Sequence, residues 1–228
     1  MARIDQLAAT RASLELLILE NRNLQDHFGE LMGKLEGLDT LPPDERSAKL
    51  KALEGEGAFQ FNGIDIRRFQ QSSARSLPPA EFLLRTRRRL DNTLSLLAEL
   101  MRRKHFESDA NLGEEIRKLS TEQIKPDSPK AVAEFRDRVE VLRNSPPFLS
   151  YLDTRKSFLA ADPSFRAEAE FINAKEAVAE GEQSARARGD ELESLKAGLD
   201  SGKMSPDDVN AALQEMAETP PASAPAPA

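Results

Sequence analysis

A heptad pattern in the first forty residues constrains the fold of this chain more than any other feature. Mostly apolar residues recur every seven positions from residue 7, and a second series follows three positions after each member of the first. The first series is Leu7, Leu14, Asn21, Phe28 and Leu35, and the second is Thr10, Leu17, Leu24, Leu31 and Leu38. In a helix these positions form one continuous seam. The pattern predicts a coiled-coil-like helix over residues 4–36, roughly 50 Å long, whose seam other helices must cover.

Asn21 is a polar residue inside this seam, and it has two interpretations. A buried amide at such a position can fix the register and number of helices in a parallel pair. Alternatively, the side chain faces solvent or another helix of the same chain. Gly29 and Gly33 disfavour a long isolated rod, because glycine weakens a helix interior. They favour the second interpretation.

The balance of apolar residues predicts the fold class. Leucine occurs 30 times, whereas valine and isoleucine together occur 12 times. Helices favour leucine and strands favour β-branched residues. Charged residues make up 31% of the chain and tryptophan is absent. This composition is typical of a protein with extensive solvated surface. We expect an all-α protein, an elongated helical bundle with a long N-terminal coiled-coil-like helix and a C-terminal helical hairpin.

Prolines, glycines and changes in composition divide the chain into five segments. They are the heptad-patterned helix at 1–40, a short helix and Phe/Gly-rich connector at 41–76, a central helical bundle with a basic helix at 77–161, an acidic long helix and hairpin at 162–218, and a Pro/Ala-rich tail at 219–228 that we expect to be disordered. Asp162 and Ser205 precede prolines and predict helix starts. Gly181 or Gly189 could break the acidic helix.

The connector contains more large apolar residues than an exposed loop needs. They are Phe59, Phe61, Ile64, Ile66 and Phe69. We expect this stretch to pack on the bundle or to bind a partner, as an extended segment.

The stretch FLLRTRRRLDNTLSLLAELMRRKHF, residues 82–106, is strongly basic within a chain of net charge -7. If Leu90, Leu94, Leu97 and Met101 form its buried stripe, a helical wheel puts Arg85, Arg88 and Arg103 on the opposite side. Together with flanking cations they form a candidate partner- or anion-binding set. The set is Arg67, Arg68, Arg85, Arg88, Arg89, Arg102 and Arg103.

Three interpretations of this basic set remain open. The cations could pair with the acidic C-terminal part of the chain, where residues 168–218 hold five basic and thirteen acidic side chains. They could dock on an acidic protein partner, with complementary charge steering the encounter. They could bind phosphate in nucleic acid or at an anionic membrane, which would place a regulatory function in residues 67–104.

Few residues point to catalysis or metal binding. Cysteine is absent and the histidines are His27 and His105, so we expect no metal site, cofactor or enzymatic activity. The longest run of large apolar residues, LLIL at 16–19, is far shorter than a membrane span of about 20 residues. Residues 1–20 lack the apolar stretch of a signal peptide. We therefore expect a soluble, cytoplasmic protein.

The function that these patterns favour is that of a non-enzymatic structural or adaptor protein. An association seam would join it to itself or to a larger assembly. The seam consists of Leu7, Leu14, Leu17, Asn21, Leu24, Phe28, Leu31 and Leu35. The expected partners are proteins, with nucleic acid as the less favoured alternative.

Overall fold

Eight α-helices and one short hairpin account for most of the residues that a computed structural model of the chain describes. It describes residues 2–68, 78–103 and 110–218, with the side chains of 5–67, 78–103 and 111–216. The helices are α1 (Ala2–Glu36), α2 (Pro43–Gly55), α3 (Pro79–Arg102), α4 (Ala110–Thr121), α5 (Pro129–Arg143), α6 (Pro146–Ala161), α7 (Pro163–Asp200) and α8 (Pro206–Glu218). The predicted all-α class and long N-terminal helix are confirmed. The tail predicted to be disordered, 219–228, lies outside the described residues, as do 69–77 of the connector.

Capping side chains set the starts of several helices. Ser145 accepts a hydrogen bond from the Phe148 amide before α6. Asp162 accepts from the Phe165 amide at 3.0 Å before α7. Ser205 accepts from the Asp208 amide at 3.2 Å, and the Asp208 carboxylate accepts from the Ser205 amide at 2.9 Å. These bonds satisfy amides that the first helical turn leaves unpaired, so the predicted starts of α7 and α8 are confirmed.

The helices form two compact units. Among the described residues, the first unit contains 2–39, 52–68 and 177–218, and the second contains 40–51, 78–103 and 110–176. Helices α2 and α7 contribute to both units.

In the first unit, helices of the same chain cover the seam of α1. Leu14 and Ile18 share a buried cluster with residues of α7 and α8, and Leu7 and Leu17 pack against it. The α7 and α8 members are Leu192, Leu195, Leu199 and Val209. Further along α1, Leu24, Phe28, Leu31 and Leu35 are all buried. The seam predicted from the heptads is therefore the core of this unit.

Ion pairs along α1 and α7 show that the two helices are antiparallel. Arg11 lies 2.6 Å from Asp200, and Arg22 lies 2.6 Å from Glu193. The partner's number on α7 falls as the number on α1 rises. These pairs are solvent-exposed and contribute little to stability.

Two glycines let α1 approach α7 closely. A Cβ added at Gly181 would lie 2.4 Å from Cζ of Phe28, and one added at Gly189 would lie 2.6 Å from Nε2 of Gln25. Both distances are shorter than van der Waals contact. Helix α7 continues through both positions, so the prediction of a break there is wrong. The glycines are needed for packing against α1.

Asn21 belongs to the same contact. The residue is 6% exposed, and its Nδ2 donates a hydrogen bond to the Ala185 carbonyl oxygen at 2.9 Å. Its side chain therefore meets another helix of its own chain, which is the second of the two interpretations.

The connector contains a β-hairpin that the sequence prediction omitted. Strands β1 (Gln60–Phe61) and β2 (Ile64–Asp65) pair antiparallel across Asn62 and Gly63, whose φ angles are 49° and 78°. Positive φ at both turn residues is the geometry that Asn-Gly favours in two-residue hairpins.

Two of the predicted apolar anchors in the connector are buried. Phe59 and Ile66 are each 1% exposed, whereas Ile64 is 58% exposed and is left for the alternative of partner binding, which stays a prediction. Phe61 packs against His27, with ring centroids 5.5 Å apart. The Nε2 of His27 lies 3.0 Å from the Ala58 carbonyl oxygen, so its N–H donates there. Phe69 lies outside the described residues.

The second unit has its own core, built from α3, α4, α5, α6 and the first part of α7. Rings of Phe82 and Phe135 meet edge to face at 6.5 Å. Tyr151 and Phe165 are almost fully buried among the leucines of α3 and α4. This packing holds α3, α5, α6 and α7 together, and these helices line the cavity described below.

The contact at Gly181 predicts opposite effects for two glycine substitutions. Alanine is a better helix former than glycine by about 1 kcal/mol, and no atom would lie within 4 Å of a Cβ at exposed Gly29. Gly29→Ala should therefore raise the free energy of unfolding by about 0.5–1 kcal/mol. At Gly181 the same change meets a fully buried ring, and overpacking costs about 1–3 kcal/mol. Gly181→Ala should lower stability by about 1–2 kcal/mol. Urea unfolding of both variants measures these effects, and equal stabilisation by both would contradict the close contact.

Candidate functional site

Arg67 holds the hairpin of the first unit and is not available as a free cation. Its guanidinium lies 2.5 Å from Glu54 and 2.8 Å from Asp65, and it stacks 4.6 Å from the centre of the Phe59 ring. Its pKa is raised, mainly by the hydrogen bond to Asp65. The side chain of Arg68 lies outside the described residues.

Arg85 corrects the helical-wheel prediction. Its side chain is 5% exposed and pairs at 3.3 Å with Glu81, which is 8% exposed. Met101, predicted to be buried, is 45% exposed. The wheel assumed one stripe of leucines, but buried positions of α3 extend over more than half of its circumference because several helices pack around it. The buried positions are Glu81, Phe82, Leu83, Arg85, Thr86, Leu90, Leu96, Leu97 and Leu100.

Arg103 connects the end of α3 to the start of α7. Its Nε donates to Glu99 at 2.6 Å, its Nη1 lies 2.6 Å from the capping carboxylate of Asp162, and its Nη2 donates to Ser164 at 3.1 Å. Arg102 also pairs with Glu99, at 2.7 Å, but its side chain is 67% exposed. Arg103 is therefore engaged in holding the second unit together.

Two more members of the predicted set lie on α3. Arg89 pairs at 3.0 Å with Glu176 on α7. Arg88 is half-buried, and its Nη1 has no hydrogen-bond partner among the described residues. Among the predicted cations whose side chains the structure describes, Arg89 is the one that lines a cavity of the second unit.

That cavity, of about 410 Å³, lies between four helices of the second unit. Its lining comes from α3 (Arg89, Asn92, Thr93, Leu96), α5 (Arg143), α6 (Phe148, Tyr151, Leu152, Arg155) and α7 (Asn173, Glu176). The spacings within α3, α6 and α7 are three or four residues, which puts the side chains on one face of each helix. Leu96, Phe148 and Tyr151 form a buried apolar floor, whereas Arg143, Leu152 and Asn173 are exposed at the rim. We call this site the arginine cavity.

One of the three arginines in the cavity is neutralised. Glu176 accepts hydrogen bonds from Arg89 Nε at 3.0 Å and from Asn92 Nδ2 at 2.7 Å. Arg143 and Arg155 form no ion pair with any carboxylate that the structure describes. The cavity therefore has a formal surplus of two positive charges.

The surroundings of these two arginines favour an incoming anion. Arg143 is exposed as a residue, but burial of its guanidinium and the nearby charge of Arg89 lower its pKa, and the charge of Glu176 offsets this only in part. The Nε of Arg155 is buried and has no hydrogen-bond partner among the described residues. Burial raises the pKa of Tyr151 to about 12, so its hydroxyl stays protonated. Desolvated cations without counter-charges are unfavourable, and an anion would relieve this cost.

A wider groove of about 840 Å³ lies between α3 and α4. Leu94, Ala98 and Met101 line one side of it, and Lys118 on the other side pairs with Glu114 at 2.9 Å. The charged residues of the groove, Glu114, Arg117 and Lys118, all belong to α4 and include one ion pair, so their formal surplus is one positive charge, against two in the arginine cavity. The arginine cavity is therefore the better candidate site.

Sequence reasoning missed Arg143 and Arg155. Both lie outside the basic segment 82–106: Arg143 is the last of three arginines in α5, and Arg155 is the one arginine of α6. The available signal was the four-residue spacing of Tyr151 and Arg155, which puts the guanidinium beside a buried ring. Only the packing of α3 against α5, α6 and α7 shows that these arginines share a cavity with Arg89.

Neither a protein-family model, nor a curated protein, nor a solved structure matches this chain. No group of three His, Cys, Asp or Glu side chains suited to a metal ion occurs within the described residues. In the same part of the chain, no helix is both long and apolar enough to span a bilayer.

The contacts of Glu99 predict an acid-sensitive component of stability. Hydrogen bonds from Arg102 and then Arg103 lower its pKa to about 2, from an ordinary value of 4.5. Because the folded pKa is lowered, the carboxylate stabilises the fold above pH 4.5, and this contribution is lost as the pH falls towards 2. Glu99→Gln should cost about 2 kcal/mol at pH 7, with the difference from wild type closing near pH 2. Urea unfolding at pH 7, 5 and 3 measures this.

Glu114→Gln is the matched control for this prediction. Its carboxylate forms an exposed pair with Lys118 on α4, and exposed pairs of this kind contribute little. A cost at Glu99 that does not change between pH 7 and pH 3 would contradict the proposed electrostatic origin.

Proposed function

We propose that this protein is a non-enzymatic adaptor that docks on a protein partner through the outer face of α6. The observation that supports the proposal is a pair of exposed leucines on that face, Leu149 and Leu152, which are 47% and 38% exposed. They are three residues apart and share one side of the helix. Asp153 and Lys156, each four residues after one of these leucines, are also exposed. Apolar side chains flanked by one acidic and one basic residue fit an amphipathic partner helix that carries charges of both signs beside its apolar face.

Self-association through the α1 seam is the weaker form of the proposal. Leu14, Phe28, Leu31 and Leu35 are at most 2% exposed in the single chain. A second copy would have to displace α7 and α8 to reach Leu14, and α7 to reach Phe28. The proposed contact therefore uses a surface that the folded chain leaves exposed.

Nucleic-acid binding through residues 67–104 is the alternative, with less support. Single-stranded nucleic acid is usually held by cations together with exposed aromatic rings. Here Arg67, Arg85, Arg89 and Arg103 pair with carboxylates of the chain, and Phe82 on α3 is 7% exposed. The arrangement favours a protein partner.

Two matched double variants test the docking face. Affinity purification from the native cell would use wild-type protein, Leu149→Ser/Leu152→Ser, and the control Leu16→Ser/Leu19→Ser. The control leucines are 57% and 55% exposed and are also three residues apart, on α1 of the first unit. A retained protein would then be purified and its Kd measured against all three.

The expected result is a partner that wild type and the control bind equally, and that the α6 variant binds at least tenfold more weakly. A tenfold loss corresponds to about 1.4 kcal/mol, a modest requirement for two leucines at an interface. Equal binding by both variants would remove the α6 face from the proposal. Salt-sensitive binding of nucleic acid that both variants retain would favour the alternative.

A further inference from the structure

The arginine cavity has features of a small-molecule site that the docking proposal does not use. Its volume of about 410 Å³ falls in the range of about 300–1,000 Å³ typical of ligand pockets. It combines a buried apolar floor with a few polar groups, the usual composition of such pockets. Its lining belongs entirely to the second unit.

The charge of the cavity selects the class of ligand. Glu176 already pairs with Arg89, so Arg143 and Arg155 are the two cations of the cavity lining that form no ion pair with a described carboxylate. A singly charged carboxylate would neutralise one of them. A phosphate monoester carries close to two negative charges at neutral pH, because its second pKa is about 6. Guanidinium groups also match the geometry of phosphate oxygens.

The uncharged part of the lining indicates what the phosphate is attached to. Phe148 and Tyr151 form the floor with Leu96, and Leu152 lies at the rim. These residues offer an apolar surface to an aromatic or aliphatic group. Asn173 and Thr93 add neutral hydrogen-bonding groups to the walls. The lining fits a compact, amphipathic phosphate ester better than inorganic phosphate.

We propose that the arginine cavity binds a small phosphate monoester, with Arg143 and Arg155 holding the phosphate and the floor holding its apolar group. The binding needs no protein partner, so it stands or falls separately from the docking face. Because Leu152 lies both at the rim and on the docking face, the bound ester would lie at the edge of that face.

The test measures phenyl phosphate binding by calorimetry at pH 7.5, beside inorganic phosphate and malonate. The variant is Arg143→Gln/Arg155→Gln, and the control is Arg102→Gln/Arg138→Gln. The control removes the same charge from two arginines of the second unit that lie outside the cavity lining and whose side chains are 67% and 49% exposed. We expect phenyl phosphate to bind wild type with a submillimolar Kd and at least tenfold more tightly than inorganic phosphate. The cavity variant should lose at least tenfold in affinity, and the control should stay within twofold of wild type.

A labelling experiment on the wild-type protein tests the same contact if the cavity variant does not fold. Phenylglyoxal modifies arginine side chains, and mass spectrometry identifies the modified positions. Phenyl phosphate should protect Arg143 and Arg155 and leave Arg102, 67% exposed at its side chain, as reactive as before. Binding should also weaken from pH 7.5 to pH 5, as the ligand loses its second charge.

Each opposite result overturns the proposal. A Kd for phenyl phosphate above about 10 mM would exclude this cavity as a phosphate site. An equal loss of affinity in the cavity variant and the control would exclude it too. Tighter binding of malonate would replace the ligand class by dicarboxylates. A phosphotyrosine peptide that binds more than tenfold more tightly than phenyl phosphate would exclude a free small molecule as the ligand.

Discussion

The first unit depends on the burial of the apolar seam of α1 by other helices. A helix with such a seam is unstable alone in water, because its apolar side chains need a packed surface. Helix α7 supplies that surface with small residues four positions apart, Gly181, Ala185 and Gly189. Their size lets Phe28 and the Asn21 amide reach the α7 backbone region. The seam becomes a core within one chain, and no second copy is required.

Pairing of charges within the chain has a similar effect on the basic helix. Cations of α3 are matched by Glu81, Glu99, Asp162 and Glu176, partly within the helix and partly from α7 and its cap. Buried or half-buried pairs of this kind are costly to break, because the remaining charge stays desolvated. Such arginines therefore position helices, and the cations left for a ligand are the ones without an internal carboxylate.

The sequence predicted the helices well, because their signals are local. Heptad spacing identified the buried residues of α1, and Asp162 and Ser205 marked helix starts through capping that needs only neighbouring residues. The sequence prediction omits the hairpin although Asn62-Gly63 is a local turn signal, because strands of two residues are too short to show an alternating pattern. Gly181 was misread because a glycine that weakens a helix and one that admits a neighbouring ring look alike in sequence. Only the tertiary contact with Phe28 separates the two.

Much less of the candidate site than of the fold could be predicted from the sequence, because the site depends on contacts between distant helices. Local density of arginine pointed to α3, but density does not show which cations meet carboxylates from distant helices. Arg103 finds Asp162 and Arg89 finds Glu176 only after α7 packs on α3. Arg143 and Arg155 line one cavity from two other helices, each with only one more basic than acidic residue. The charge available for binding thus arises from how the helices pack, and it lies mostly outside the most basic segment of the chain.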